Sequence, residues 1–358
     1  MTTLVLFELR KILTKRITLI GIVAVLILNF LLVFSTLQSM YSFDGRNREG
    51  TGITAVNIDK EIAQKYQGTL TDEKVQKMLN DFKPTTDFHG LNVAYLYTNA
   101  TQSSVHARFS DQNGDWNGIT VADVFSHEKI TIGYVNGWLH VSQYMTRVFI
   151  VLSLLIVLMI APVFSGEYGG VDSLILTTKY GKTRCGTAKN IGALLAALLV
   201  TAFFVVLNIV AALVIYGHEG LDCSILFAPQ GFIEAYIPFN ITCATLIKYQ
   251  MLLTFTCMMS VVGITILLSS ICKNQIVALV TSASIFMLPL LLPVAETNLL
   301  YKLVVLMPVY QAQFISIMSV EQMSNGLLYA IWAIPMAVIL IMIGYIISRR
   351  AFAKHQVS

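Results

Sequence analysis

Residues able to do chemistry crowd into one short stretch of this chain, FSGEYGGVDSLILTTKYGKTRCGTAKN, residues 164–190. Its acids come early (Glu167, Asp172) and its cations late (Lys179, Lys182, Arg184, Lys189). That order suits a helix dipole followed by an anionic lipid surface. Leu174, Ile175 and Thr178 add an apolar patch, so a short helix here would present a face that a soluble motor subunit could grip. Gly181-Lys182-Thr183 matches the end of a phosphate-binding loop. That loop also needs a preceding strand and a glycine five residues earlier, where this chain has Leu176, so the match is discarded. No HExxH, Gly-x-Ser-x-Gly or CxxC occurs. The chain is therefore not expected to be an enzyme or to hold a metal. Of five cysteines, Cys223 and Cys243 share one loop and are the pair able to form a disulfide in an oxidising compartment, with free thiols as the default.

The elements that carry this stretch are set by hydropathy. Apolar residues make up 56% of the 358-residue chain and charged residues only 12%, against roughly 25% charged in soluble domains. The runs Ile17–Leu37, Val148–Phe164, Ile191–Tyr216, Tyr249–Ile271, Ile276–Ala295 and Leu327–Ile347 contain no Asp, Glu, Lys, Arg or His. A hydrocarbon core about 30 Å thick needs roughly 20 such residues per helix. The expected fold is thus an all-α polytopic membrane protein with six spans. The absence of ionisable residues inside the runs removes the usual machinery of proton- or sodium-coupled transport.

Charge sets the expected orientation. With the N-terminus inside, the inner pieces hold twelve of the 24 Lys and Arg residues and only three acids, Glu8, Glu167 and Asp172. That asymmetry follows the positive-inside rule and places both termini in the cytoplasm. The net charge of +4 then reflects orientation, and no nucleic-acid partner is expected. Residues 1–16 read as a cytoplasmic interfacial helix, with Leu4, Phe7 and Ile12 on one side and Glu8, Arg10, Lys11 and Lys15 largely elsewhere. The first span (17–37) leads into an extracytoplasmic domain over 38–147, and the remaining membrane domain fills 148–358.

Within the outer domain, Asn57–Phe82 reads as two helices broken at Gly68, the second starting at a Thr71 cap. Asn92–Tyr97 and Val105–Phe109 alternate with period two and predict short strands, and Asp111–Gly118 predicts a turn. An α+β or mostly helical domain is expected. The outer segment 297–326 is too apolar for an ordinary loop and is broken at Pro308, which predicts re-entrant or interfacial helices. The inner loops, apart from 165–190, leave no room for a catalytic domain.

Taken together, Phe164, Glu167, Gly170, Leu174, Leu176, Thr177, Thr178, Gly181, Lys182 and Lys189 resemble the loop of the permease subunit of type-2 ATP-binding-cassette exporters. The interfacial helix, the six runs and the apolar outer segment repeat that family's layout. The large insert is similar to the Gram-positive branch that exports peptides or confers bacitracin- or lantibiotic-type resistance. The resemblance implies a permease in a bacterial plasma membrane, moving a peptide, amphipathic or lipid-like substrate. A transducer that moves its outer domain without transport is the alternative it leaves open. It implies cytoplasmic ATPase subunits as partners, a second permease (the same chain or another) and lipid contact. No cofactor is expected on this chain, ATP and Mg belonging to the partner ATPase. Coupling would run through 165–190, with Glu167, Tyr168, Gly170, Asp172, Leu174, Thr178, Tyr180, Gly181, Lys182 and Arg184 at the contact.

Overall fold

An apolar run without charges leaves its backbone one workable conformation in lipid, a helix that satisfies its own N–H and C=O groups. The computed structural model of the chain describes residues 1–83, 99–168, 181–229, 240–292, 299–311, 313 and 329–354. In chain order its helices are α1 (Thr2–Leu13), α2 (Arg16–Ser39), α3 (Ile53–Lys65), α4 (Asp72–Asp81), α5 (Ala100–Phe109), α6 (Val121–Phe125) and α7 (Asn136–Ile160). They continue with α8 (Pro162–Ser165), α9 (Gly186–Tyr216), α10 (Cys243–Ile271), α11 (Gln275–Leu291), α12 (Leu299–Val305), α13 (Pro308–Gln311) and α14 (Tyr329–Lys354). Five of the helical stretches are long and apolar enough to cross a membrane: α2, α7 with α8, α9, α10 and α14. The run expected as the fifth span is the shorter α11, which ends at Leu291, and residues 293–298 lie outside the described part.

The bundle has a hub and a periphery. In α7 with α8, 72% of the most apolar window is buried inside the protein, against 17% for α2. The outward residues of α2, among them Ile20, Ile27 and Phe30, are apolar and exposed, as a lipid-facing helix requires. The closest helix pair is α10 with α14. A Cβ on Gly263 would stand 2.6 Å from the Leu340 carbonyl oxygen, so these backbones meet with nothing between them. Small residues allow that approach in membranes, where packing and not water exclusion holds helices together.

The insert forms its own core. Val75, Met78 and Leu79 of α4 pack with Val105 and Phe109 of α5, Phe125 of α6 and Phe227 from the loop after α9. Thr71 caps α4 as expected, its hydroxyl accepting from the Lys74 N–H at 3.3 Å, and Gly68 breaks the helices at φ +109°. Two short antiparallel ribbons, Tyr41–Phe43 (β1) with Glu49–Thr51 (β2) and Gly68–Thr69 (β3) with Thr131–Ile132 (β4), complete it. The strand expected at Val105–Phe109 is instead the end of α5. The Asn99 side chain accepts from the Gln102 N–H at 2.8 Å and starts a helix, and Val105 and Phe109 then share one face at i, i+4. The strand expected at Asn92–Tyr97 lies outside the described residues. Helix α7 begins at Asn136, so the bundle reaches eleven residues above the expected boundary at 147.

Asp59 fastens this domain to the bundle. Its buried carboxylate accepts from Ser42 Oγ at 2.8 Å, the Ala100 N–H at 3.2 Å and Asn136 Nδ2 at 2.9 Å, the last at the first turn of α7. Burial holds this carboxyl above its ordinary pKa despite those three donors. Arg108 makes a second tie, donating to the Leu226 and Ala228 carbonyls at 2.7 and 2.9 Å. Contacts therefore gather residues 40–83 and 99–136 with 217–229 and 240–243 at one end of the bundle. The other end gathers α1, 161–168, 181–190, the α10–α11 turn and the C-terminal turn of α14, as in the 5.3 Å edge contact of Phe164 with Phe352.

Candidate coupling site

At the α1 end, four charged side chains from three separate segments meet. Lys189, one turn into α9, is fully enclosed, and its Nζ donates to Glu8 Oε1 at 3.0 Å and Glu167 Oε1 at 2.6 Å. Lys11 also donates to Glu167 Oε1 and stands 3.8 Å from Glu8 Oε2. The two carboxylates are 7% and 6% exposed, so neither Lys189 nor its acids can rely on water for solvation. Burial of an ion costs several kcal/mol unless partners replace water. Here two ammoniums and two carboxylates balance. Among the described residues Glu167 Oε2 has no hydrogen-bond partner.

Local structure explains how each group arrives. The stretch α7–α8 keeps winding through Pro162, whose fixed φ suits the first turn of a helix. The Glu167 N–H closes on the Phe164 carbonyl at 3.0 Å, which turns Glu167 inward beneath the bundle. Tyr168 follows and donates its hydroxyl to the Ser270 carbonyl at 2.8 Å, fixing the chain against the end of α10. On the return, Gly181–Cys185 forms a π-helical turn that leads directly into α9. Helix α1 lies along α9, where a Cβ on Gly192 would come within 3.0 Å of Glu8 Cβ. Asn190, the residue after Lys189, exchanges hydrogen bonds with Ser348 at 2.9 and 3.1 Å and brings α14 to the same place.

Several sequence expectations change. Glu8, expected on the polar side of the N-terminal helix, is buried with Val5 and Ile12, while Leu4 and Phe7 are exposed. The reason is Lys189: a buried cation recruits the acid to the packed face, and the apolar residues turn outward. Arg10 and Lys15 are exposed, and Lys15 caps α2 in place of extending α1. Of the expected contact residues, Glu167 and Tyr168 belong to the cluster and its collar, Gly181 is buried in the π-turn, and Arg184 is exposed. Lys182 lies in the same turn. Gly170, Asp172, Leu174, Thr178 and Tyr180 fall in 169–180, outside the described residues. Helix α9 starts at Gly186, ahead of the uncharged run that begins at Ile191, and so carries Lys189 in its first turn.

At the opposite end, Cys223 and Cys243 are neighbours, the Cys243 N–H donating to the Cys223 carbonyl at 3.0 Å, and both are free thiols in this structure. In the apolar outer segment, α12 and α13 are short helices, and Gln311 of α13 accepts from Ser260 Oγ at 3.4 Å, near the middle of α10. No group of three or more His, Cys, Asp or Glu able to hold a metal occurs among the described residues.

Fold and site together define a helical, membrane-embedded protein whose terminal helix is locked to the bundle by buried ion pairs. In comparisons with known proteins, no family model, curated protein or solved structure matches this chain.

Proposed function

We propose that the chain is the permease subunit of an ATP-binding-cassette exporter, and that a separate ATPase drives it from the side on which α1 lies. The observation that carries this reading is the Lys189–Glu8–Glu167–Lys11 cluster. A force applied to segment 169–180 reaches Glu167 directly. Through Lys189 it reaches α9, and through Glu8 and Lys11 it reaches α1. A rigid, neutral knot at this point is what a lever at the membrane surface needs, since ion pairs out of water are costly to separate. The excess of cations on this end supports a cytoplasmic placement. Energy must come from another chain, with ATP and Mg held there. Two permeases around a shared pathway would move a peptide, amphipathic or lipid-like substrate in a bacterial plasma membrane.

Reconstitution with the partner ATPase tests it. Glu167→Gln should lower permease-dependent ATP hydrolysis several-fold while the complex still assembles, because the carboxylate that joins three segments is lost. Unchanged hydrolysis and unchanged assembly would refute the coupling assignment. A second reading, a transducer that moves its outer domain without passing substrate, is favoured by that domain's separate core and its Asp59 tie to α7. Substrate-dependent uptake into inverted vesicles separates the two, since only the exporter accumulates substrate.

A further inference from the structure

An open-sided cavity of about 600 Å³ lies beside the coupling site, between the first turns of α2 and α11 and the end of α7. Its polar end is made by Lys15, Arg16 and Gln275, and its walls by Ile17, Leu158, Pro162, Ile276 and Leu279. No acid lines it. Among the described residues no ion pair forms at Lys15 or Arg16. Glu167, whose charge acts on Lys15, is already held by Lys189 and Lys11. Two helix N-termini border the cavity, α2 at Arg16 and α11 at Gln275, where Asn274 Oδ1 takes up only the Ile276 N–H, at 2.8 Å. Their partial positive charge adds to that of the two side chains. Partial desolvation of the otherwise exposed side chain, and then the neighbouring Lys11, push the Lys15 ammonium below its ordinary pKa, with Glu167 acting more weakly the other way. An anion at this place would relieve that.

We propose that this cavity is a binding site for an anionic phospholipid of the surrounding bilayer, its phosphate on Lys15 and Arg16 and the upper part of an acyl chain on Ile17, Leu158, Ile276 and Leu279. The position fits, because α2 is a candidate membrane-spanning helix and its first turn therefore sits at headgroup depth. The size fits as well, since sites for small molecules occupy about 300–1,000 Å³. Cations at the rim and an apolar floor together match an amphiphile. A soluble anion would use only the rim. The site stands independently of the exporter reading, and it adjoins the coupling cluster through Pro162 and Lys15, so a bound lipid would brace α2 against α7 and α11.

The test is native mass spectrometry of the full-length chain in mild detergent, titrated with phosphatidylglycerol or phosphatidylcholine of identical acyl chains. Phosphatidylglycerol should be retained at least about tenfold more strongly, as two nearby cations imply. Replacing both cations (Lys15→Ala with Arg16→Ala) should bring the ratio close to one. Leu279→Trp, which narrows the wall and leaves the charges in place, should also abolish the preference, and it keeps the test sound if the double variant inserts poorly. Lys15→Arg should preserve it. Water-soluble glycerol phosphate should not compete. Equal retention of the two lipids, a preference that survives Leu279→Trp, or displacement by glycerol phosphate would each overturn the proposal, the last by showing a site for free phosphate.

Discussion

With its ammonium enclosed, Lys189 depends for its charge on Glu8 and Glu167, residues separated from it by 181 and 22 positions in the chain. Removing one partner of such a cluster strands the others. Lys189→Met should therefore cost about 3–5 kcal/mol, read as a drop in apparent unfolding temperature in detergent. Adding Glu8→Gln and Glu167→Gln to it should recover most of the loss, because the one charge then left, Lys11, is 45% exposed and solvated by water. If the triple variant is no more stable than Lys189→Met, the charges are not the reason for the defect. A second residue gives a pH signature. Burial lowers the pKa of the His106 ring from 6.5 to about 4, so the folded state resists a proton that the unfolded chain accepts. Stability from this residue is complete above about pH 6.5, is lost as pH falls towards 4, and is flat below, with a total of up to about 3 kcal/mol. Relative to the parent, His106→Leu should gain stability as pH falls from about 6.5 to about 4, and the variant-minus-parent difference should be flat on either side of that window. Asp59, whose raised pKa gives the opposite slope, is common to both proteins and cancels. Glu167 was legible from sequence as a charged residue at a span end. The inward turn of Glu8 was not, because its cause lies on another helix and no local pattern records it.

Among the elements, the apolar runs gave the helices directly, since in lipid the length of an uncharged run decides the conformation. Ends were less legible: α7 starts at Asn136 and α9 at Gly186, both in stretches that carry charge and so broke the uncharged pattern. Alternation misled at Val105–Phe109, where the two outer residues of a period-two reading are also four apart on a helix. Asn99→Ala should weaken α5 by about 1 kcal/mol, measured by faster amide exchange over residues 100–109. A strand there would show no such response. The α10–α14 contact makes a sharper prediction. Gly263→Leu would drive a side chain into the Leu340 backbone, which cannot rotate aside. A loss of about 1–3 kcal/mol or more is expected, seen as aggregation or a lowered unfolding temperature. Val214→Ala on the exposed face of α9 should stay within about 0.5 kcal/mol. Equal effects of the two changes would deny the close approach.

For the whole molecule, the two ends divide by charge as well as by contact. The end with α1 carries the net positive charge and the neutral knot of Lys189, and the other carries the folded insert fastened through Asp59 and Arg108. The charge division was readable from sequence because it is a sum over loops. The knot was not, because it requires three segments to meet. The exporter reading places the energy source on a partner chain. The direct test is to purify the tagged full-length chain gently from its native membrane and identify what accompanies it in stoichiometric amount. A soluble ATPase with a phosphate-binding loop is expected, still bound but several-fold less active with Glu167→Gln and unaffected by Val214→Ala. Recovery of the chain alone in several mild detergents, with Glu167→Gln indistinguishable from the parent, would contradict it and leave the Lys189 cluster as a brace between helices.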